Sequence, residues 1–208
     1  MTNPQWLEWS RRLQAISQSG LTYTEGVYDR ERYAQIRQIA AEMAAAQTGD
    51  DPSRLVNLFS HDTGYGTPKV DVRGVVIKDD QLLMVKERID GLWTIPGGWA
   101  DVGDSPAAMA VREVREESGY EVRAVRLLAL YDRDAPRHGH PPIPWHAYKV
   151  FFLCELIGGE PATSSETDAV GFFPIHALPP LSITRVTESE IQRLYGLACD
   201  PSLPPDFD

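Results

Sequence analysis

Cysteine is scarce in this 208-residue chain. Cys154 and Cys199 are the only two, too few for a disulfide scaffold, and Cys154 lies in an apolar run that reads as the setting of a buried thiol. Long apolar runs are missing as well. No stretch approaches the roughly 18 residues that a membrane span requires, and the opening MTNPQWLEWSRRLQ breaks its apolar residues with charge, unlike a secretory signal. Basic residues are outnumbered, 20 Lys and Arg against 30 Asp and Glu, for a formal net charge of -10. With no cationic surplus to neutralise a phosphate backbone, a stable nucleic-acid partner is not expected. A small anionic substrate would then need a bridging metal and a few local cations. No internal repeat is apparent. These absences predict a cytoplasmic protein with no membrane partner.

What is present suffices for a full core, since 42% of the residues are hydrophobic, and the length sits near the boundary between one domain and two. Trp6, Trp9, Leu13 and Ile16 follow one another at helical spacing and predict an amphipathic helix from about Pro4 to Gln18, ended by Gly20. A second helix is expected from about Tyr28 to Ala46, with Tyr33, Ile36, Ala40 and Met43 on one face. Two helices bury little alone, so their apolar faces must pack on the rest of the chain or on a second copy. The stretch from Gln47 to Leu55 reads as a linker, with a boundary near residues 48 to 66.

Strands are expected at Val70 to Ile77 and Leu82 to Val85, joined by the turn Lys78-Asp79-Asp80 as a hairpin. A short extended piece follows at Trp93 to Ile95, then strands at Val122 to Tyr131, Tyr148 to Leu156 and Val170 to Phe173. Thr187 and Glu190 form a capping box for a helix to about Ala198, and residues 201–208 read as a disordered tail. A mid-chain helix among strands and another at the end predict an α+β domain with a mixed sheet.

That mid-chain helix is the centre of the chemistry. Ser105-Pro106 opens it and Gly119 closes it. Glu113, Glu116 and Glu117 then stand at i, i+3 and i+4, so their carboxylates share one face, beside an apolar seam of Ala107, Val111, Val114 and Ser118. Clustered carboxylates repel each other, and a hard divalent cation relieves that repulsion. The same run in isolation would also suit a solvated acidic face, with Arg112 and Arg115 as intrahelical partners.

The surrounding residues resemble the Nudix hydrolase signature: Gly98, then Arg112, Glu113, Val114, Glu116, Glu117, Gly119 and Tyr120 at the required offsets, with Asp104 where the signature has Glu. The resemblance implies an α/β/α sandwich at residues 66–200, preceded by a small helical N-terminal domain at 1–60. It implies Mg2+- or Mn2+-dependent hydrolysis of the pyrophosphate bond of a nucleoside diphosphate linked to a group X. Glu113, Glu116, Glu117 and the Gly97 carbonyl are the implied metal ligands, with Glu113 alternatively the general base, and Arg112 orients the glutamates. The N-terminal stretch resembles the extension of a subgroup that includes CDP-choline and ADP-ribose pyrophosphatases, which implies a homodimer. Nucleoside triphosphate or RNA-end hydrolysis, or a non-catalytic ligand-sensing module, are the alternatives.

Further candidates surround the helix. Glu166 and Asp168 precede a strand and could complete the site; Lys86, Arg88 and Arg133 could contact phosphate. The Pro-rich loop at 132–145 holds His138 and His140, which could touch phosphate or base, and a long loop of this kind points to specificity. Neither histidine belongs to a zinc-ligand pattern. Trp93, Trp145 and Tyr131 could stack on a base or serve the core.

Overall fold

The computed structural model describes residues 4–208, leaving residues 1–3 of the expected 1–60 extension outside the described residues. By contact density the chain divides into two units. One comprises residues up to 68 together with 142–146; the other comprises 69–141 and 147–208.

The first unit is helical: α1 (Gln5–Tyr23), α2 (Val27–Thr48) and α3 (Pro52–Ser60). A small-residue face of α2, Ala40, Ala41, Ala44 and Ala45, packs with Leu55 and Phe59 of α3, and Trp6, Leu13 and Trp145 close over them. The expected stripe on α1 therefore splits. Trp6 and Leu13 turn inward, while Trp9 and Ile16 are exposed. Helix α3 corrects the linker expected at Gln47 to Leu55. Asp51 accepts from the Ser53 amide at 2.9 Å as an N-cap, and Pro52 takes the first helical position, where its missing N–H costs nothing.

The second unit carries β1 (Lys69–Lys78), β2 (Gln81–Glu87), β3 (Trp93–Thr94), β4 (Gly97–Trp99), α4 (Pro106–Ser118), β5 (Tyr120–Asp132), β6 (Ala147–Gly159), β7 (Thr167–Pro174), α5 (Glu188–Cys199) and β8 (Asp206–Phe207). The sheet runs β3-β2-β1-β6-β5-β8, with β4 added to β1 and β7 added to β2. It is mixed: β1 lies parallel to β6, and β5 is antiparallel to β6. Strand β1 changes partner along its length, pairing β4 through residues 71–73 and β2 only at residues 77–78. Asp79 and Asp80 make that hairpin turn with φ of 50° and 59°, the left-handed pair that a two-residue turn uses.

Helices cover both faces. On one, Met109, Ala110 and Val114 of α4 pack on Val72, Val76, Leu83, Val122 and Cys154. On the other, Ile191, Leu194 and Leu197 of α5 pack on Val75, Leu82, Met84, Tyr131 and Phe151. This is the α/β/α sandwich the signature implied. The tail expected to be disordered is ordered instead. Strand β8 adds in parallel to β5, and Asp206 accepts from Tyr131 at 2.9 Å and from Arg193 at 3.0 Å.

Candidate active site

Helix α4 is built as its sequence requires. Ser105 Oγ accepts from the Ala108 amide at 3.2 Å, and Gly119 caps the other end with φ of 77°, a conformation that suits glycine. Its buried face runs through Met109, Ala110, Val114, Glu117 and Ser118, one step around from the expected seam, since Ala107 and Val111 are only partly buried. The rotation carries one of the three acids inward.

Glu117 is 5% exposed and accepts a 2.9 Å hydrogen bond from the Gly97 amide. Burial raises its carboxyl to about 8; the Gly97 amide and Arg73 pull it down part of the way, and Glu87 and Glu113 add to the rise. Glu113, half-buried beside it, is likewise raised by burial, against the pull of Arg112. Glu116 is largely exposed. Arg112 gathers the acids around itself, at 3.2 Å from both Glu113 and Glu116, 2.7 Å from Asp101 and 3.1 Å from Asp104. Asp104, one methylene shorter than the signature's Glu, still reaches Arg112, so the departure is absorbed locally.

Gly97 is the other half of the site. With φ of 141° it approaches β1 so closely that a Cβ would lie 2.1 Å from the Val72 carbonyl and 2.7 Å from Arg73 Cα. Only glycine permits that contact. It presents the Gly97 amide to Glu117.

Two charged groups at this site escape a reading of apolar periodicity. Glu87, at the end of β2, is buried and 3.2 Å from Arg185; burial raises its carboxyl, with Arg185 and Arg73 opposing. Arg73 is buried on β1 in a two-point pair with Asp71 at 2.9 and 3.0 Å. The available signal was the alternation of Asp71 and Arg73 within an otherwise apolar strand, which puts both charges on one face.

The remaining candidates separate. Glu166 is among the charges that hold Glu113 and Glu87 up, so it belongs to the same acidic neighbourhood. Asp168 ion-pairs with Arg88 at 3.2 Å, both half-exposed. Lys86 lies on β2 across from Trp93. Arg133 and His138, expected as substrate contacts, are buried and committed internally. Arg133 meets Asp134 at 3.2 Å and donates to the carbonyls of Thr184 and Pro141, while His138 stacks on Tyr131 and lies 3.2 Å from Asp208. His140 is buried too, 2.9 Å from Glu190 and 3.1 Å from Lys149. Trp93 packs edge-on to Phe173 at 4.7 Å, Tyr131 is core, and Trp145 packs in the helical unit.

Residues 67–193 match the family model described as the NUDIX domain. The chain belongs to the Nudix family. It is a Nudix hydrolase, and its residues 4–59 match a second model, the UDP-X-like, N-terminal oligomerisation domain. A Bacillus subtilis (strain 168) protein provisionally named ADP-ribose pyrophosphatase YjhB is 43% identical over 203 residues, 98% of this chain and 97% of its own. Among solved structures, an ADP-ribose pyrophosphatase from Streptococcus suis 89-1591 is 38% identical with a TM-score of 0.62, covering 68% of this chain and 100% of its own. A UDP-X diphosphatase is 29% identical with a TM-score of 0.64 over 100% of both chains.

Proposed function

We propose that this hydrolase cleaves the diphosphate bond of a nucleoside diphosphate linked to X, using Mg2+ or Mn2+ held by Glu113, Glu116 and Glu117 with the Gly97 carbonyl. The observation that carries the reading is Glu117, buried on α4, held by the Gly97 amide and raised by burial, with Glu87 and Glu113 adding to the rise. An all-oxygen donor set of this kind suits a hard divalent cation that also takes phosphate oxygens. When bound, such an ion screens the diphosphate and makes a coordinated water more acidic. The chain's own part is positional. Arg112 keeps Glu113 and Glu116 apart and oriented, the Gly97 amide fixes one Glu117 oxygen, and Glu113 is a ligand or the base that takes the water's proton.

ADP-ribose and UDP-linked compounds come first as substrates, because relatives covering most or all of the chain carry those names. CDP-choline stays in the panel with nucleoside triphosphates and short RNA, and Lys86 and Arg88 are the cations suggested for phosphate. The experiment is nucleotide release from that panel with Mg2+ or Mn2+, for the wild type and Glu116→Gln. A wild type inert on every member would sink the reading; a Glu116→Gln variant with full activity would remove that ligand from it.

The same reading includes a cytoplasmic homodimer formed through the helical unit. Its support is the matched oligomerisation model together with Trp9, Ile16 and Tyr23, which stand exposed along α1 at seven-residue intervals. A chain beginning near residue 60 should sediment as a monomer; a persistent dimer would refute this part.

A further inference from the structure

Arg73 lies behind the acidic site and takes no part in the family signature. Its guanidinium is fully buried, and four of its contacts are hydrogen bonds to two different elements. Nε and Nη2 hold Asp71 on its own strand; Nη1 reaches across to the Thr94 hydroxyl at 3.1 Å and the Ile95 carbonyl at 2.7 Å. Asp71 thus fixes the direction of the fork, and the fork fixes the backbone that leads into the Gly97 loop.

The stem of the same side chain sets the next residues. Arg73 is the direct register partner of Gly97, and a Cβ on Gly97 would stand 2.9 Å from Arg73 Cγ, so the glycine rests against the arginine stem. The neighbouring Gly74 amide donates to the Pro96 carbonyl at 3.0 Å. The segment Thr94 to Gly97 is therefore held at its hydroxyl, two carbonyls and one Cα by residues 73 and 74. Its far side is the Gly97 amide that holds Glu117.

We propose that Arg73 is a positioning residue for the cation site, fixing the Thr94–Gly97 segment so that the Gly97 amide and carbonyl and the Glu117 carboxylate are preset for a divalent ion. This rests on the reading that Glu113, Glu116 and Glu117 hold such an ion. The competing account is that the Asp71–Arg73 pair only neutralises buried charge. Lysine in place of Arg73 separates the two, because it keeps the charge and loses the fork.

The test is Mn2+ binding to the full chain, read by loss of the free-ion EPR signal, with melting curves run alongside. Wild type, Glu117→Gln, Arg73→Lys and Thr94→Val are compared. The expectation is that Arg73→Lys melts cooperatively and binds Mn2+ about 10- to 100-fold more weakly, in the range that outer-shell changes produce. Thr94→Val should weaken binding in the same direction by less. Folded Arg73→Lys and Thr94→Val chains with wild-type Mn2+ affinity would overturn the proposal. If Arg73→Lys does not fold, Thr94→Val, which leaves the Asp71 pair intact, decides alone. A wild type that binds no Mn2+, or a Glu117→Gln variant that binds it unchanged, would instead bring down the metal reading and this inference with it, a failure recognisable from those two chains alone.

Discussion

Two buried glutamates on opposite faces of one sheet have been given opposite characters. Glu117, on α4, is raised to about 8. Glu190, on α5, is 1% exposed and yet held at about 2: burial pushes its carboxyl up, and the Lys149 charge with the His140 hydrogen bond outweighs it. Lys149 Nζ lies 2.7 and 2.9 Å from the two Glu190 oxygens and donates to the Arg185 carbonyl at 2.7 Å; the Thr187 amide donates to Glu190 at 3.1 Å. His140 completes the group, its Nδ1 2.7 Å from the Ile183 carbonyl. The comparison teaches that burial does not decide the state of an acid; the partners buried with it do. A glutamate supplied with every partner is structural. One supplied with a single amide and the pull of an arginine, and crowded by other acids, keeps its raised value.

The sharpest way to break this contrast is to remove each acid in turn. Glu190→Ala should cost about 3–5 kcal/mol, because Lys149 is left charged and buried without its partner; urea melts would measure it, and a loss near zero would erase the distinction. Glu117→Gln should do the reverse, leaving stability unchanged or higher while hydrolysis falls by about 100-fold or more if Glu117 is the ligand proposed, since changes to the partners of a metal ligand alone cost about 10- to 100-fold, in assays of initial rate. Acid titration probes the same difference through one site. The folded value of Glu190 lies below its ordinary 4.5, so its contribution is complete above pH 4.5 and is lost as pH falls towards about 2. His140, held below 6.5 by burial, adds a loss that begins under that pH. Circular dichroism from pH 7 to 2 should show a decline that Glu190→Gln flattens at its acid end. The smallest effect belongs to the helix cap: Thr187→Ala removes an acceptor for the Glu190 amide and should cost about 1 kcal/mol, with the Glu190–Lys149 pair retained and activity unchanged.

The sequence disclosed these regions unequally. The helix that carries Glu113, Glu116 and Glu117 was legible because its start, stop and spacing are local, and so was the capping box at Thr187 and Glu190. That Glu190 also pairs with Lys149 and His140 was not legible, since those partners lie 41 and 50 residues away. The Pro-rich loop suffered most. Composition marked it as irregular, but whether His138 and Arg133 face solvent depends on Asp208 and Thr184, whose proximity only the folded sheet creates. Helix α3 was missed for a different reason, Asp51-Pro52 being equally good grammar for a turn and for a helix start. The order of residues 201–208 rests on β5, Tyr131 and Arg193, none of which is a sequence neighbour.

Asp71 and Arg73 also bear on how the chain finds its pairing. Strand β1 must join β6 in parallel across some 70 intervening residues, a slow kind of contact to form, and valines alone would score a misaligned pairing almost as well as the right one. A slip of one residue exchanges the two faces of a strand. Here it would drive an aspartate and an arginine towards the apolar cluster of Met109, Ala110 and Val114. The pair thereby ties the alignment of the strand to burial of charge as well as of apolar surface, since a slipped register would part Arg73 from the Ile95 carbonyl it reaches here.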